Sequence, residues 1–385
     1  MKALFYFVDG FAWSYISNDT SRFPAADWPM IRPLRTVLGY SSSIVPVLLS
    51  GKLPAQSGLW TEYYREDRSA SMIGTVAGRS NVFATPLNMA RLVAFRVARQ
   101  AGWQGAHRLR IPIELSHHFK RHAIDYRRMP PCPLPFPTIA EVCAELGLRL
   151  SFSFIEDDRT AAQALSSAHS NIDDIDIFFF YDCTVDHAGH THGPSLSALR
   201  PYLDRVARTV EAMRDLATRR DTLETLVFSD HGMTAVERSY DVFAALLPLR
   251  IGADFLAFPD STFARFWYPD EQARAGVRAA LRGAPGSFLT ESDAVRYGVP
   301  FPDGRYGDDV LVADEGVIFH PSYISPTFFR SPFQDKGMHG YRPECPSADG
   351  VVLYSGKVLD SEFSERVPAE SVFDLMSKIL NTATP

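Results

Sequence analysis

Four cysteines in 385 residues leave little material for a disulfide framework. Cys132, Cys143, Cys183 and Cys345 are far apart and form no CxxC pair, so the thiols read as free rather than as bridges or a thiolate metal site. Long apolar runs are missing too: none approaches the roughly 18 residues that cross a bilayer. The opening MKALFYFVDG holds an apolar stretch too short for a secretory leader, and it runs into an aspartate rather than a small-residue cleavage site. A cytoplasmic location is the expectation. There is no basic surplus either. Lys and Arg number 39 against 45 Asp and Glu, and a net charge of −6 argues against a nucleic-acid polymer as partner. No internal repeat or low-complexity tract is visible.

What is present is a series of short apolar runs, each ending in a polar residue. ALFYFV runs into Asp9, IDIFFFY into Asp182 and ETLVFS into Asp230. Continuous runs of this length fit strands buried on both faces of a parallel sheet. Between them lies a helical pattern, clearest at Leu196, Leu199, Leu203, Val206, Val210 and Met213, with Pro201 expected to start or bend that helix. Strands alternating with helices predict an α/β fold with a mostly parallel sheet. Such sheets bind ligands beyond the carboxyl ends of their strands, so the polar residues ending these runs are expected to converge.

Two stretches break the alternation. Residues 61–137 carry Arg91, Arg96, Arg99, Arg108, Arg110, Lys120, Arg121, Arg127 and Arg128 and leave through the Pro-rich MPPCPLPFP. They read as a cap subdomain inserted into a single catalytic domain spanning 1–385. Residues 235–335 read as a second insertion or accessory region. The cap's basic residues are placed to draw in an anionic substrate. Its segment NMARLVAFRVARQAGW is amphipathic, but packing on its own domain is the expectation rather than membrane contact.

Four segments hold the oxygen and nitrogen donors. They are FVDG with Asp9, TVDHAGHTHG with Asp186, His187, His190 and His192, SDHGM with Asp230 and His231, and GMHG with His339. Carboxylates and imidazoles suit zinc. Singly each is weak, since a strand-ending Asp-Gly is usually a turn and a lone histidine usually structural. Their joint occurrence, mostly behind apolar runs, is the signal. The stretch GYSSSIVPVLLSG adds a serine cluster ahead of an apolar run that reads as a helix. Ser41 is expected as its N-cap, with free backbone N–H groups beside it that can hold a phosphate oxygen. Pro46 is expected within the helix's first turn.

In this order, the set resembles the alkaline phosphatase superfamily, and within it the type I phosphodiesterase/nucleotide pyrophosphatase family. GYSSSIVPVLLSGKLPAQSGLW is similar to that family's nucleophile segment. DHAGHTHGP, SDHG and KGMHGY resemble its other blocks, and ESVFDLMSKIL its closing helix. The resemblance implies an alkaline-phosphatase-like three-layer sandwich. It implies two divalent metal ions, zinc or alternatively manganese, one bound by Asp186, His190 and His339 and the other by Asp9, Ser41, Asp230 and His231. Ser41 is then the nucleophile, its hydroxyl activated by metal contact, passing through a phosphoseryl-type intermediate. His187 and His192 stay outside the ligand set.

The substrate implied is a small phosphorylated molecule, nucleotide-linked in the family's usual form. The Ser42 N–H is a candidate for a phosphoryl oxygen, and Trp60, Tyr63 and Tyr64 are candidates for stacking on a flat leaving group, with core packing an equal alternative. One departure concerns specificity: the family often carries an Asn three residues after the nucleophile, and here that place is Ile44. A sulfatase is disfavoured, because no Cys/Ser-x-Pro-x-Arg motif surrounds Ser41. A phosphomonoesterase or phosphonate hydrolase, a phosphotransferase to an acceptor other than water, and a non-catalytic metal-stabilised binding protein remain as alternatives.

Overall fold

The computed structural model describes residues 2–17, 20–24, 26–65, 86–101, 110–217, 223–247, 249–324, 335–359 and 364–383. Its central sheet comprises β1 (Lys2–Val8), β2 (Met30–Arg35), β3 (Leu150–Ile155), β4 (Ile177–Asp182), β5 (Leu223–Phe228), β6 (Gly350–Ser355) and β7 (Val367–Pro368). The order is β7-β2-β6-β5-β1-β4-β3. β1 pairs in parallel with β4 and β5, and β3 in parallel with β4. β6 runs antiparallel to both its neighbours, and β7 pairs in parallel with β2. The three apolar runs singled out in the sequence are thus the adjacent strands β4, β1 and β5, where both faces are covered.

Helices flank both faces and make a three-layer arrangement. On one side Leu4, Tyr6, Val8, Phe178 and Phe180 share a core with Leu199, Leu203, Val206, Val210 and Met213 of the helix Leu196–Ala217. That helix begins ahead of Pro201, which lies inside it rather than at its start. On the other side Phe7 stacks on Phe228 at 5.6 Å and tilts against Tyr181 at 4.5 Å. The helix Ser41–Ser50 lies on the same side: its Val45, Leu48 and Leu49 line a small apolar pocket with Phe7, Tyr181 and Phe228. Each such buried side chain contributes roughly 1.5–3 kcal/mol by removal from water.

The chain divides into two compact units. The first holds Met1–Trp60, Ala123–Ala235 and Asp335–Pro385, and so the whole central sheet. The second holds Thr61–His122 and Val236–Gln334. Residues 123–137, read as the end of a cap, therefore belong to the first unit. The second unit is built on an antiparallel sheet of Leu256–Pro259, Phe263–Trp267, Asp309–Ala313 and Gly286–Phe288. Its interior contains Arg265, fully buried, paired with Asp260 at 2.8 Å and lying 4.5 Å from the Phe258 ring. Cys132, Cys143 and Cys183 are buried and free of disulfides. Among the described residues no helix is long and apolar enough to cross a membrane.

Candidate active site

Asp9 follows the carboxyl end of β1, Asp182 ends β4, and Ser229, Asp230 and His231 follow β5. Because these strands are parallel neighbours, their ends lie side by side. Backbone and side-chain hydrogen bonds lock the ends together. The Asp9 N–H donates to the Asp182 carbonyl at 2.9 Å, the Phe11 N–H to Ser229 Oγ at 2.9 Å, and the Gly10 N–H to Asp230 Oδ1 at 3.2 Å. Gly10 is required in this crossing. Its φ of 69° lies in the left-handed region, and a Cβ there would sit 2.9 Å from the Asp186 Cα.

Asp186 and His190 stand one turn apart on the helix Thr184–His192, which starts directly after β4. The buried carboxylate of Asp182 accepts from the Thr184 N–H at 2.9 Å and from the Thr184 hydroxyl at 2.6 Å, holding the first turn. His339 follows the short strand Gly337–Met338, which pairs with Thr234–Ala235 just beyond His231. The i, i+4 spacing of Asp186 and His190 puts both on one helix face. His187 and His192 are exposed and outside the clusters that follow.

Two clusters result. Asp186, His190 and His339 bring one ligand atom each within 4.8 Å of one another, and so do Asp9, Asp230 and His231. In the first, Asp186 Oδ1 lies 3.3 Å from His190 Nε2 and 3.6 Å from His339 Nε2. In the second, His231 Nε2 lies 3.1 Å from Asp230 Oδ2 and 3.4 Å from Asp9 Oδ1. Ser41 joins the second, with its Oγ 3.3 Å from His231 Nε2 and 3.5 Å from Asp9 Oδ1.

The placement of Ser41 differs from expectation by one step. Tyr40, not Ser41, is the N-cap, with φ −114° and ψ 175° and no side-chain cap bond. Ser41 is the first helical residue, so its hydroxyl is not spent on capping and faces the carboxylate and imidazole instead. Pro46 falls in the second turn rather than the first, leaving the Ser42 carbonyl without its helical donor. Burial of Ser42 through Ser50 offsets this. Ser43 Oγ donates to the Tyr40 carbonyl at 2.7 Å.

The electrostatics point to cations. Burial first, then Asp230 and Asp186, push Asp9 up to about 7. Burial alone would lower His190, but Asp186 outweighs it and the imidazole rises to about 9. Burial opposes the charge on His231 as well, yet Asp230 and Asp9 hold it well above its ordinary value. His339 is pushed well below by burial and by His231.

The hydrogen-bond pattern fits metal ions in both clusters. His190 Nδ1 and His231 Nδ1 lie 2.9 and 2.8 Å from the carbonyls of Gly337 and Gly232, which fixes a tautomer with the Nε2 lone pair directed into the clusters. Asp186 Oδ1, Asp230 Oδ2 and His339 Nδ1 are buried without a hydrogen-bond partner. Buried carboxylate oxygens whose nearest polar neighbours are converging imidazole nitrogens fit a bound cation, which would satisfy both kinds of lone pair.

Comparisons with known proteins bear on the family and the fold. Residues 116–342, more than half of the chain, match the family model described as type I phosphodiesterase / nucleotide pyrophosphatase. The chain belongs to that family. Among curated relatives, the human ectonucleotide pyrophosphatase/phosphodiesterase family member 7 is 33% identical over 95 residues, covering 24% of this chain and 19% of the relative. The chain is therefore matched over about a fifth of that protein's length. Among solved structures, murine ectonucleotide pyrophosphatase/phosphodiesterase 5 is similar over 100% of this chain and 96% of its own, with TM-score 0.62 and 19% identity. Its human counterpart gives TM-score 0.62 at 17% identity, over 99% and 95% of the two chains. These likenesses show the fold, an alkaline-phosphatase-like α/β sandwich.

Two of the aromatic candidates, Trp60 and Tyr63, are corrected by burial. Trp60 is fully buried and its Nε1 donates to the Leu38 carbonyl at 2.8 Å, so no ring face is open for stacking. Tyr63 is 2% exposed and packs on Phe258 at 5.2 Å. The ring of half-buried Tyr64 is stacked on His122 at 4.4 Å and lies under the Arg305 guanidinium at 4.4 Å. Apolar and aromatic side chains in these segments fill the interior. Ser42 is buried and its Oγ has no partner. Several of the basic residues assigned to a cap are neutralised locally: Arg121 pairs with Glu62, Arg127 with Glu156 and Arg128 with Asp125. Arg108 lies outside the described residues, as do the side chains of Arg96 and Arg99. What the sequence did not reveal is Tyr181, whose hydroxyl donates to Asp9 Oδ2 at 2.9 Å. It sits inside an apolar strand, and nothing in its pattern separates it from core.

Proposed function

We propose that this chain is a two-metal hydrolase of phosphodiester or nucleotide pyrophosphate-type bonds, with Ser41 as nucleophile. The observation that supports the reading is the position of Ser41 Oγ, 3.3 Å from His231 Nε2 and 3.5 Å from Asp9 Oδ1, at the edge of two adjoining Asp/His clusters. Asp186, His190 and His339 would hold one divalent ion and Asp9, Asp230, His231 and Ser41 the other, with zinc the proposed metal. When bound, such ions lower the pKa of a coordinated hydroxyl and stabilise charge developing on a phosphoryl group.

The chain's own residues then do the rest. Ser41 Oγ loses its proton and attacks phosphorus. The bond to the leaving oxygen breaks, and Ser41 carries the remaining phosphoryl ester. Water attacks that ester in the second step, releasing a phosphomonoester and restoring the hydroxyl. The N–H groups of Ser41 and Ser42, at the start of a ten-residue helix, are placed to donate to phosphoryl oxygens. A nucleotide-linked substrate belongs to this proposal. It is supported by the solved complex of an inactive variant of murine ectonucleotide pyrophosphatase/phosphodiesterase 5 with AMP. A cytoplasmic location is also part of it, supported by the buried thiols of Cys132, Cys143 and Cys183, which form no disulfide. Cell fractionation tests that part.

The test compares bis-p-nitrophenyl phosphate with p-nitrophenyl phosphate in the presence of zinc or manganese. A dianionic monoester needs additional cationic support near the nucleophile, and residues 38–50 contain no Lys or Arg. The diester is expected to have the higher kcat/KM. A clear preference for the monoester would replace this reading with a phosphomonoesterase on the same site.

A further inference from the structure

We propose that Tyr181 is a positioning residue for the Asp9 carboxylate, directing Oδ1 into the cluster that contains Ser41 and His231. The inference rests on the metal reading above. Asp9 is gripped twice by β4. Its N–H donates to the carbonyl of Asp182, and its Oδ2 accepts from the hydroxyl of Tyr181 at 2.9 Å. The other oxygen, Oδ1, is the one 3.4 Å from His231 Nε2 and 3.5 Å from Ser41 Oγ. The two oxygens of an aspartate are equivalent and its terminal torsion is broad, so backbone geometry alone does not fix the plane in which one oxygen faces the cluster. A donor on one oxygen does.

The donor itself is rigid. Tyr181 is 4% exposed, and its ring centroid lies 4.5 Å from Phe7, 5.1 Å from Phe154 and 5.8 Å from Tyr126. A ring wedged in this way holds its hydroxyl at a fixed point, and a partner of this kind orients a metal ligand and sets its basicity. The same device appears in reverse on the opposite face of the sheet. There Tyr6 of β1 donates to Asp182 Oδ2 at 3.0 Å, at the end of β4. Asp182 belongs to neither cluster; its carboxylate is engaged by Arg205 and Thr184. The two tyrosines thus make equivalent buried bonds, one to a candidate ligand and one to a structural carboxylate, and Tyr6 serves as the internal control.

The test is zinc affinity by chelator competition on the full chain, with circular dichroism to follow folding. Tyr181→Phe removes one oxygen and keeps the ring. It is expected to weaken one of two zinc ions by roughly 10–100-fold while the other stays within about threefold. Tyr6→Phe is expected to leave the zinc ion that Tyr181→Phe weakens within about threefold. Unchanged zinc binding in Tyr181→Phe overturns the inference. So does an equal loss of that ion in both variants, or a Tyr181→Phe chain that does not fold, since each assigns the hydroxyl a general structural role. A parent protein that binds no zinc overturns the metal reading and this inference with it, and is recognised before any variant is compared.

Discussion

The imidazoles of His231 and His339 lie face to face, 9° from parallel with centroids 3.6 Å apart. One follows β5, the other precedes β6, and each belongs to a different donor cluster. Two protonated rings would repel at this distance, and burial disfavours charge on either. Asp230 and Asp9 hold the proton on His231 and His339 is left neutral beside it, so the stacked rings tie the two clusters into one site.

The first expectation follows from that pairing. The parent protein binds two zinc ions, and His339→Ala, which removes a donor from one cluster only, retains one of them tightly. Metal analysis after dialysis against a weak chelator reads the stoichiometry. Loss of both ions together would show that the clusters are not separable sites. Zinc at about 1,000 times its dissociation constant is expected to add roughly 4 kcal/mol to the parent's stability, read as a higher Tm than in EDTA.

Gly10→Ala is expected to damage both the fold and the site. A non-glycine residue at φ 69° is strained, and its Cβ would press on the Asp186 backbone. A loss of about 1–3 kcal/mol is expected by chemical denaturation of the metal-free protein, together with weaker zinc binding. A variant as stable as the parent, with unchanged zinc affinity, would contradict the crossing described here.

Zinc affinity is expected to rise with pH. Asp9, held up at about 7, and His190, raised to about 9, both carry protons below those values, and a metal must displace them. The sign follows directly: more bound protons at low pH means stronger competition, so binding strengthens as pH rises through 7 toward 9. Each displaced proton adds about one log unit of affinity per pH unit. Calorimetry in buffers of different ionisation enthalpy measures the protons released. No release at pH 6 would show that neither group is protonated in the metal-free site.

The sequence carried the chemistry further than it carried the architecture around it. Asp9 and Asp230 were legible because apolar runs mark buried parallel strands, and such strands place their ends together; Asp186, His190, His231 and His339 were legible through their order in the motifs and the family resemblance. Ser41 was legible as a residue but not as a position. Whether a serine caps a helix or opens it depends on the dihedrals of Tyr40, which no composition encodes. Trp60 and Tyr63 show the opposite case. An aromatic near a nucleophile has the same pattern whether it faces substrate or core, and burial decided for the core in Trp60 and Tyr63. Tyr181 was illegible because its role lies in a single hydroxyl on an otherwise apolar strand.

The measurement closest to the central claim is identification of the residue that carries the phosphoryl ester. Zinc-loaded protein turning over bis-p-nitrophenyl phosphate is quenched in acid and digested with trypsin, and the peptide Thr36–Lys52 is sequenced by mass spectrometry. The expected result is a p-nitrophenyl phosphoryl adduct on Ser41, absent from Ser41→Ala, whose kcat falls by roughly 10³-fold or more. Ser43→Ala, which removes one hydrogen bond to Tyr40, is expected to cost about 1 kcal/mol of stability and little activity. An adduct on Ser42 or Ser43, or full turnover by Ser41→Ala, would contradict the account.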